Sequence, residues 1–208
     1  MLPRIHVITD LPHTTVNVID EIVGMGVDAI QVRAKHLTDR ELLDFTVEVI
    51  RAVDGRAKVI VNDRLDIALA AGADGVHLGL DDLPVAKARR LAPEGFLIGG
   101  TCRNVAQARQ AQADGADYVG VGPIYPSTSK TGLPDPIGLA VLGDVAAVLP
   151  AIAISGINAG RIRDVMAAGA HGVAVVAAIS RAPDPAAAAR EVIAAVLSAP
   201  SRPTGPVR

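Results

Sequence analysis

Residues 72–79 read Gly72-Ala73-Asp74-Gly75-Val76-His77-Leu78-Gly79. The first glycine follows a helix-spaced segment and suits a helix C-terminal cap, where a left-handed backbone is often needed. The next residues lead into Gly75–Leu78, a brief apolar run bounded by Asp and Gly, which reads as a buried strand. The same turn recurs as Gly26-Val27-Asp28, Gly115-Ala116-Asp117 and Gly169-Ala170-His171, each between a helix-spaced segment and an apolar run. Such turns belong to chain reversal and stability at the closed end of a layered α/β fold.

Working outward from that stretch, further short runs appear at Ile5–Thr9, Ala29–Arg33, Lys58–Asn62, Phe96–Thr101, Tyr118–Gly122, Ala151–Ser155 and Gly172–Val176. Helical spacing fills the gaps, as in Thr38–Val53, Asn104–Asp114, Asn158–Ala168 and Asp184–Leu197. Strand–helix alternation implies a parallel sheet. Eight strands favour one closed (β/α)8 barrel, the TIM-barrel class of α/β fold. An open flavodoxin-like sheet would leave several strands over. The barrel is expected over residues 1–198. Residues 199–208 hold three prolines and little apolar content and read as a disordered tail.

Composition agrees. Half of the 208 residues are hydrophobic, while the aromatics are two Tyr and two Phe, so the core must be Val, Ile, Leu and Ala. That palette suits strands buried on both faces. A net charge of −2 gives no sign of a nucleic-acid or membrane partner. Neither a signal peptide nor a transmembrane span is legible. The single cysteine, Cys102, excludes an intrachain disulfide and fits a reducing, cytoplasmic setting. The sequence is compatible with a homo-oligomer.

In such a barrel, catalytic groups come from the C-terminal strand ends and the loops that follow them. The second run ends in Gln31-Val32-Arg33-Ala34-Lys35, two cations and an amide within five residues. Arg forks onto phosphate oxygens and Lys supplies a mobile point charge; a solvated loop start is the plainer reading. The third run ends in Asn62-Asp63 and the fourth is followed by Asp81-Asp82. Either aspartate can be a helix cap. They lie on neighbouring strands, however, and two hard oxygen ligands beside two cations suit Mg²⁺ with a diphosphate. His77 reads as a satisfied barrel histidine rather than a catalytic base. Thr101 offers a hydroxyl to a substrate or to a helix end. Cys102 lacks a basic partner that would make it a nucleophile. The long loop Gly122–Gly132 carries Ser127, Ser129 and Lys130, which can clothe an anion. Gly156 after the seventh run lets the backbone approach a phosphate, and Val176 and Ala177 end the eighth.

Taken together these residues resemble thiamine-phosphate synthases. The matching pieces are Gln31-x-Arg33-x-Lys35, Val61-Asn62-Asp63, His77-Leu78-Gly79 with Asp82, Leu97-Ile98-Gly99, Tyr118 to Ile124, Ser127 to Lys130, and Ile154 to Ile157. The resemblance implies a transferase of thiamine biosynthesis that joins hydroxymethylpyrimidine diphosphate to a thiazole phosphate and releases pyrophosphate. It implies that Gln31, Arg33, Lys35, Asn62, Thr101 and Lys130 hold the pyrimidine diphosphate, with Arg33, Lys35 and Lys130 stabilising the leaving group. It places Mg²⁺ on Asp63 and Asp82, and the thiazole phosphate against Ser127, Ser129, Gly156, Val176 and Ala177. The chain departs from the family pattern at Thr101 and Ala177 (usually Ser), Arg103 (commonly His), Ser155 (Gly) and Leu80 (Gln). Two other readings stay open. A thiazole tautomerase on the same barrel would need an acid–base His at the position of Pro123. A non-catalytic binder of thiamine precursors would tolerate the changes at Arg103 and Ala177.

Overall fold

A computed structural model describes residues 1–127 and 132–199. Its first four strands are β1 (Ile5–Ile8), β2 (Ala29–Val32), β3 (Lys58–Asn62) and β4 (Gly75–Leu78). The second four are β5 (Leu97–Cys102), β6 (Tyr118–Val121), β7 (Ala151–Ile154) and β8 (Gly172–Val175). Each pairs in parallel with its neighbours and β1 closes onto β8, so the sheet is a barrel with no free edge. The helices are α1 (Val16–Gly24), α2 (Asp39–Val53), α3 (Leu65–Ala71), α4 (Val85–Leu91), α5 (Val105–Ala113), α6 (Gly138–Ala146), α7 (Ala159–Ala167), α8 (Ala177–Ser180) and α9 (Pro185–Ser198). This is the expected TIM barrel. The C-terminal helix α9 packs on α7 and α1 across the closure of the ring. Residues 200–208, and with them the reading of a disordered tail, lie outside the described residues.

Helix starts follow from local chemistry. Thr38 and Glu41 form a reciprocal capping box on α2, Asn104 caps α5 through the Gln107 amide, and Asp184 caps α9 just ahead of Pro185. Each supplies an acceptor to an amide that the helix cannot satisfy internally. Five expected strands run one residue too long. Thr9, Arg33, Gly122, Ser155 and Val176 leave the ladder and begin the loops, which is why their side chains or backbone are free to serve the cavity above.

The recurrent Gly-x-Asp turns do more than reverse the chain. The glycines Gly26, Gly72, Gly115 and Gly169 take positive φ at or just past a helix end. The aspartates that follow each grip the preceding strand. Asp28 accepts the amides of Arg4 and Ile5 at 2.9 and 2.7 Å, Asp74 accepts that of Val59 at 2.9 Å, and Asp117 that of Ile98 at 2.7 Å. Thus the turn before each of β2, β4 and β6 staples the start of the strand before it. In the fourth copy His171 replaces Asp, and its Nε2 lies 3.2 Å from the Leu2 carbonyl.

Alternate residues point inward. Ile8, Ala29, Ile60, Tyr118, Ile152 and Ala174 form a separate apolar cluster within the barrel, while Val, Ile and Leu of the outward face join the helices in the main core. Two glycines give the interior its shape. A Cβ at Gly99 would lie 2.2 Å from Tyr118 Cζ, and one at Gly120 would lie 2.7 Å from His77 Cε1. The missing side chains leave room for two rings, and close packing then fixes those rings in place.

Candidate active site

A cavity of about 930 Å³ opens at the C-terminal ends of the strands. Its floor is the upper layer of inward residues, and its walls are the loops. Gln31, Arg33, Lys35, Asn62, Asp63, Asp82, Thr101, Ser127, Gly156, Val176 and Ala177 all line it, so the structure gathers every candidate that lies within the described residues. Ser129 and Lys130 lie outside them.

The β2–β4 side is the charged side. Thr9 Oγ1 accepts the Arg33 amide at 2.8 Å and donates to the Arg33 carbonyl at 2.9 Å, which pins the backbone beneath that guanidinium. Lys35 Nζ pairs with Asp63 at 3.0 Å. With the lysine 60% exposed, this pair adds at most about 1 kcal/mol of stability, and what it fixes is placement. Asp63 does not cap α3, whose first turn has no side-chain cap. Instead it has φ of +68°, a left-handed conformation that Asp tolerates better than most residues. Its amide donates to the His77 carbonyl at 2.8 Å, so the carboxylate turns back over β4. Nor does Asp82 cap α4, whose N-cap is Pro84. It accepts the Gly79 amide at 2.6 Å, and a Cβ at Gly79 would lie 2.8 Å from that oxygen.

The carboxyls of Asp63 and Asp82 are neighbours and shift each other in opposite directions. Burial raises the Asp82 carboxyl, and the adjacent Asp63 carboxylate raises it further. Burial also pushes Asp63 up, but the hydrogen bond from Asp82 and the Lys35 ammonium outweigh it and hold Asp63 below the ordinary value. Two adjacent carboxyl groups are a donor set suited to a hard dication. Among the described residues no group of three or more His, Cys, Asp or Glu is placed to hold a metal ion. A two-carboxylate site fits Mg²⁺, which usually takes one or two carboxylates and completes its octahedron with phosphate and water oxygens.

The floor holds His6, His77 and Tyr118. Burial drives His6 down to about 3 and His77 down to about 4, so both rings are neutral near pH 7. His77 Nε2 lies 3.1 Å from Thr101 Oγ1, and its Nδ1 is buried without a partner among the described residues, so the ring is not the satisfied histidine that its strand position suggested. Thr101 is not a helix cap, since Asn104 holds that place. Burial pushes the Cys102 thiol up to about 11, which keeps it protonated and unreactive.

The β6–β8 side is built differently. Loop six continues onto loop seven by two backbone bonds, Ile124 N to the Ile154 carbonyl (3.0 Å) and Tyr125 N to the Ser155 carbonyl (3.2 Å). Ser155 and Gly156 both have positive φ, at +76° and +66°. A Cβ on Gly156 would strike the Pro126 carbonyl at 2.5 Å, so glycine is what allows the two loops to close together. Arg161, on the first turn of α7, escapes a reading by strand ends. Its Nη1 donates to the Gly156 carbonyl at 2.6 Å and its guanidinium lies 4.5 Å above the Tyr125 ring. Arg103 Nη2 donates to the Asp135 carbonyl at 2.9 Å and fastens the far limb of loop six.

Comparison with known proteins agrees with this geometry. A family profile described as thiamine monophosphate synthase matches residues 5–179. The thiamine-phosphate synthase of Methanoculleus marisnigri is 50% identical over 170 residues, which are 80% of this chain and 81% of that protein. That of Anaeromyxobacter dehalogenans is 50% identical over 175 residues, covering 83% and 79%. The solved thiamine phosphate pyrophosphorylase of Pyrococcus furiosus superposes with a TM-score of 0.85 at 33% identity, covering 93% of this chain and 95% of that one. No helix among the described residues is long and apolar enough to cross a membrane. The fold, the cavity and these relatives converge: the chain belongs to the thiamine monophosphate synthase family, enzymes of thiamine biosynthesis that act as transferases.

Proposed function

We propose that this chain joins hydroxymethylpyrimidine diphosphate to a thiazole phosphate, giving thiamine phosphate and pyrophosphate. The observation that carries the reading is the asymmetry of one cavity. Cations and an adjacent carboxylate pair line the β2–β4 side, and a glycine-shaped loop pair lines the opposite wall. Two phosphorylated substrates can therefore sit face to face.

In the reaction the bond between the pyrimidine methylene carbon and the diphosphate oxygen breaks, and its electron pair leaves with pyrophosphate. The thiazole nitrogen lone pair then forms the new carbon–nitrogen bond. The electron-rich aminopyrimidine stabilises the methylene cation, so no protein nucleophile is needed. Arg33 and Lys35, with Lys130 from loop six, would meet the charge growing on the leaving group. Mg²⁺ held by Asp63 and Asp82 would supply further charge neutralisation there. Gln31, Asn62 and Thr101 would orient the pyrimidine diphosphate. Ser127, Ser129, Gly156, Val176 and Ala177 would line the thiazole phosphate. Alignment of two bound substrates accounts for much of the remaining acceleration. A tautomerase-like reading would put its acid–base histidine where Pro123 stands, and proline has no side-chain proton to move.

The test is pyrophosphate release. Release is expected only with both substrates and Mg²⁺ present. Its absence at saturating substrates would sink the proposal. Isomerisation of the thiazole without pyrimidine would favour the tautomerase, and tight binding without turnover would favour a binder.

A further inference from the structure

His77 and Thr101 are inward residues of adjacent strands. In the β4–β5 register His77 is level with Gly99, so Thr101 stands two residues nearer the cavity mouth. Close contacts hold the imidazole in place. It stacks on Tyr118 with centroids 5.6 Å apart and planes 28° apart. It also fits only because residues 99 and 120 are glycines, whose added Cβ atoms would lie 2.6 Å from Nδ1 and 2.7 Å from Cε1. Among the described residues Nδ1 is buried without a partner, so there the 3.1 Å contact from Nε2 to Thr101 Oγ1 is the polar contact of this ring.

A threonine hydroxyl has a single proton. If Nε2 is bare, that proton is spent on the imidazole, and the cavity meets only oxygen lone pairs. If Nε2 carries the ring proton, it donates to Thr101 Oγ1 and the hydroxyl proton points into the cavity. Apart from its one amino group the pyrimidine diphosphate presents acceptors, phosphate oxygens and ring nitrogens, and the second arrangement is the one that meets them. We infer that His77 is a positioning residue: as the Nε2–H tautomer it holds Thr101 Oγ1 as acceptor and turns the threonine hydroxyl proton toward the pyrimidine diphosphate. The inference rests on the reading of Thr101 as part of that substrate's site.

Two measurements test it. The first needs no turnover: in ¹⁵N-histidine-labelled protein, NMR should place the His77 ring proton on Nε2, and a proton on Nδ1 overturns the inference. The second is a double-mutant cycle. His77→Leu should lower kcat/KM for the pyrimidine diphosphate about 10- to 100-fold, as for the loss of one buried hydrogen-bond partner. Thr101→Val should do the same, and the double variant should be no worse than Thr101→Val alone. His77→Gln, whose amide nitrogen can stand near the Nε2 position, should recover most of the loss, and it carries the comparison if the leucine variant does not fold. A histidine penalty that persists in full in the Thr101→Val background overturns the inference. If the wild-type protein fails to turn over the pyrimidine diphosphate, the proposed function falls, while the NMR result still decides the tautomer.

Discussion

Neutral histidines inside the barrel predict acid lability well above the range where carboxylates titrate. His6 is fully buried, and burial lowers it from 6.5 to about 3. Its surroundings deepen the shift: His77 and His171 repel a proton there, and only the Pro3 carbonyl favours one. His77 falls in the same direction, to about 4. Between the folded and unfolded values the unfolded chain binds more protons, so stability rises with pH in that window and is lost as pH falls below 6.5. At pH 5.0 each ring is charged in the unfolded chain and still neutral in the folded one. Relative to pH 7.5 that costs about 2 kcal/mol per ring, or about 4 kcal/mol for both. Against a typical domain stability of roughly 5–15 kcal/mol this is a large fraction. The assay is urea unfolding followed by far-ultraviolet circular dichroism at the two pH values, with a chelator present. His6→Gln, which removes one titrating ring, should halve the loss to about 2 kcal/mol. An unchanged loss in that variant, or no loss in the wild type, would refute the reasoning.

Other outcomes follow from the same geometry. Asp63→Asn keeps a residue that tolerates a φ of +68° but removes the charge; turnover should fall roughly 100-fold and need more Mg²⁺, measured as pyrophosphate release against metal concentration. Gly156→Ala drives a methyl toward the Pro126 carbonyl and requires a strained φ; KM for the thiazole phosphate should rise about tenfold with KM for the pyrimidine diphosphate unchanged, as steady-state kinetics would show. Asp28→Ala strands two strand amides and should cost about 3 kcal/mol in urea unfolding without changing kcat.

Much of this was legible because barrel chemistry obeys position. Strand ends could be found from brief apolar runs, and Gln31, Arg33, Asn62 and Thr101 then fell at the cavity without further knowledge. The inward–outward alternation was hidden, since Val, Ile and Ala serve both faces of a buried parallel strand. What could not be read was conformation. A lone Asn-Asp pair looks like a helix start, and only the left-handed backbone at Asp63 sends its carboxylate to Asp82. Arg161 sits one turn into a helix, where an arginine ordinarily faces solvent; its tie to Tyr125 depends on loop six reaching loop seven. His77 resembled inert core because its importance lies in the absence of side chains at Gly99 and Gly120, residues on other strands.

The aspartate staples imply an order of assembly. Each bridges residues close in sequence: Asp28 reaches back 23 and 24 positions, Asp74 15, and Asp117 19. The seam is held otherwise. Arg4 Nε donates to the His171 carbonyl, and His171 lies against the Leu2 carbonyl, across separations of 167 and 169 residues. Loop-closure entropy makes the short-range staples cheap and the seam expensive. Three of the four strand pairs, β1–β2, β3–β4 and β5–β6, therefore carry a short-range staple, and at the turn before β8, beside the seam, histidine stands in for aspartate. Pulse-labelled hydrogen exchange during refolding should protect the amides of Ile5, Val59 and Ile98 before that of Val173, which donates to the Arg4 carbonyl across the seam.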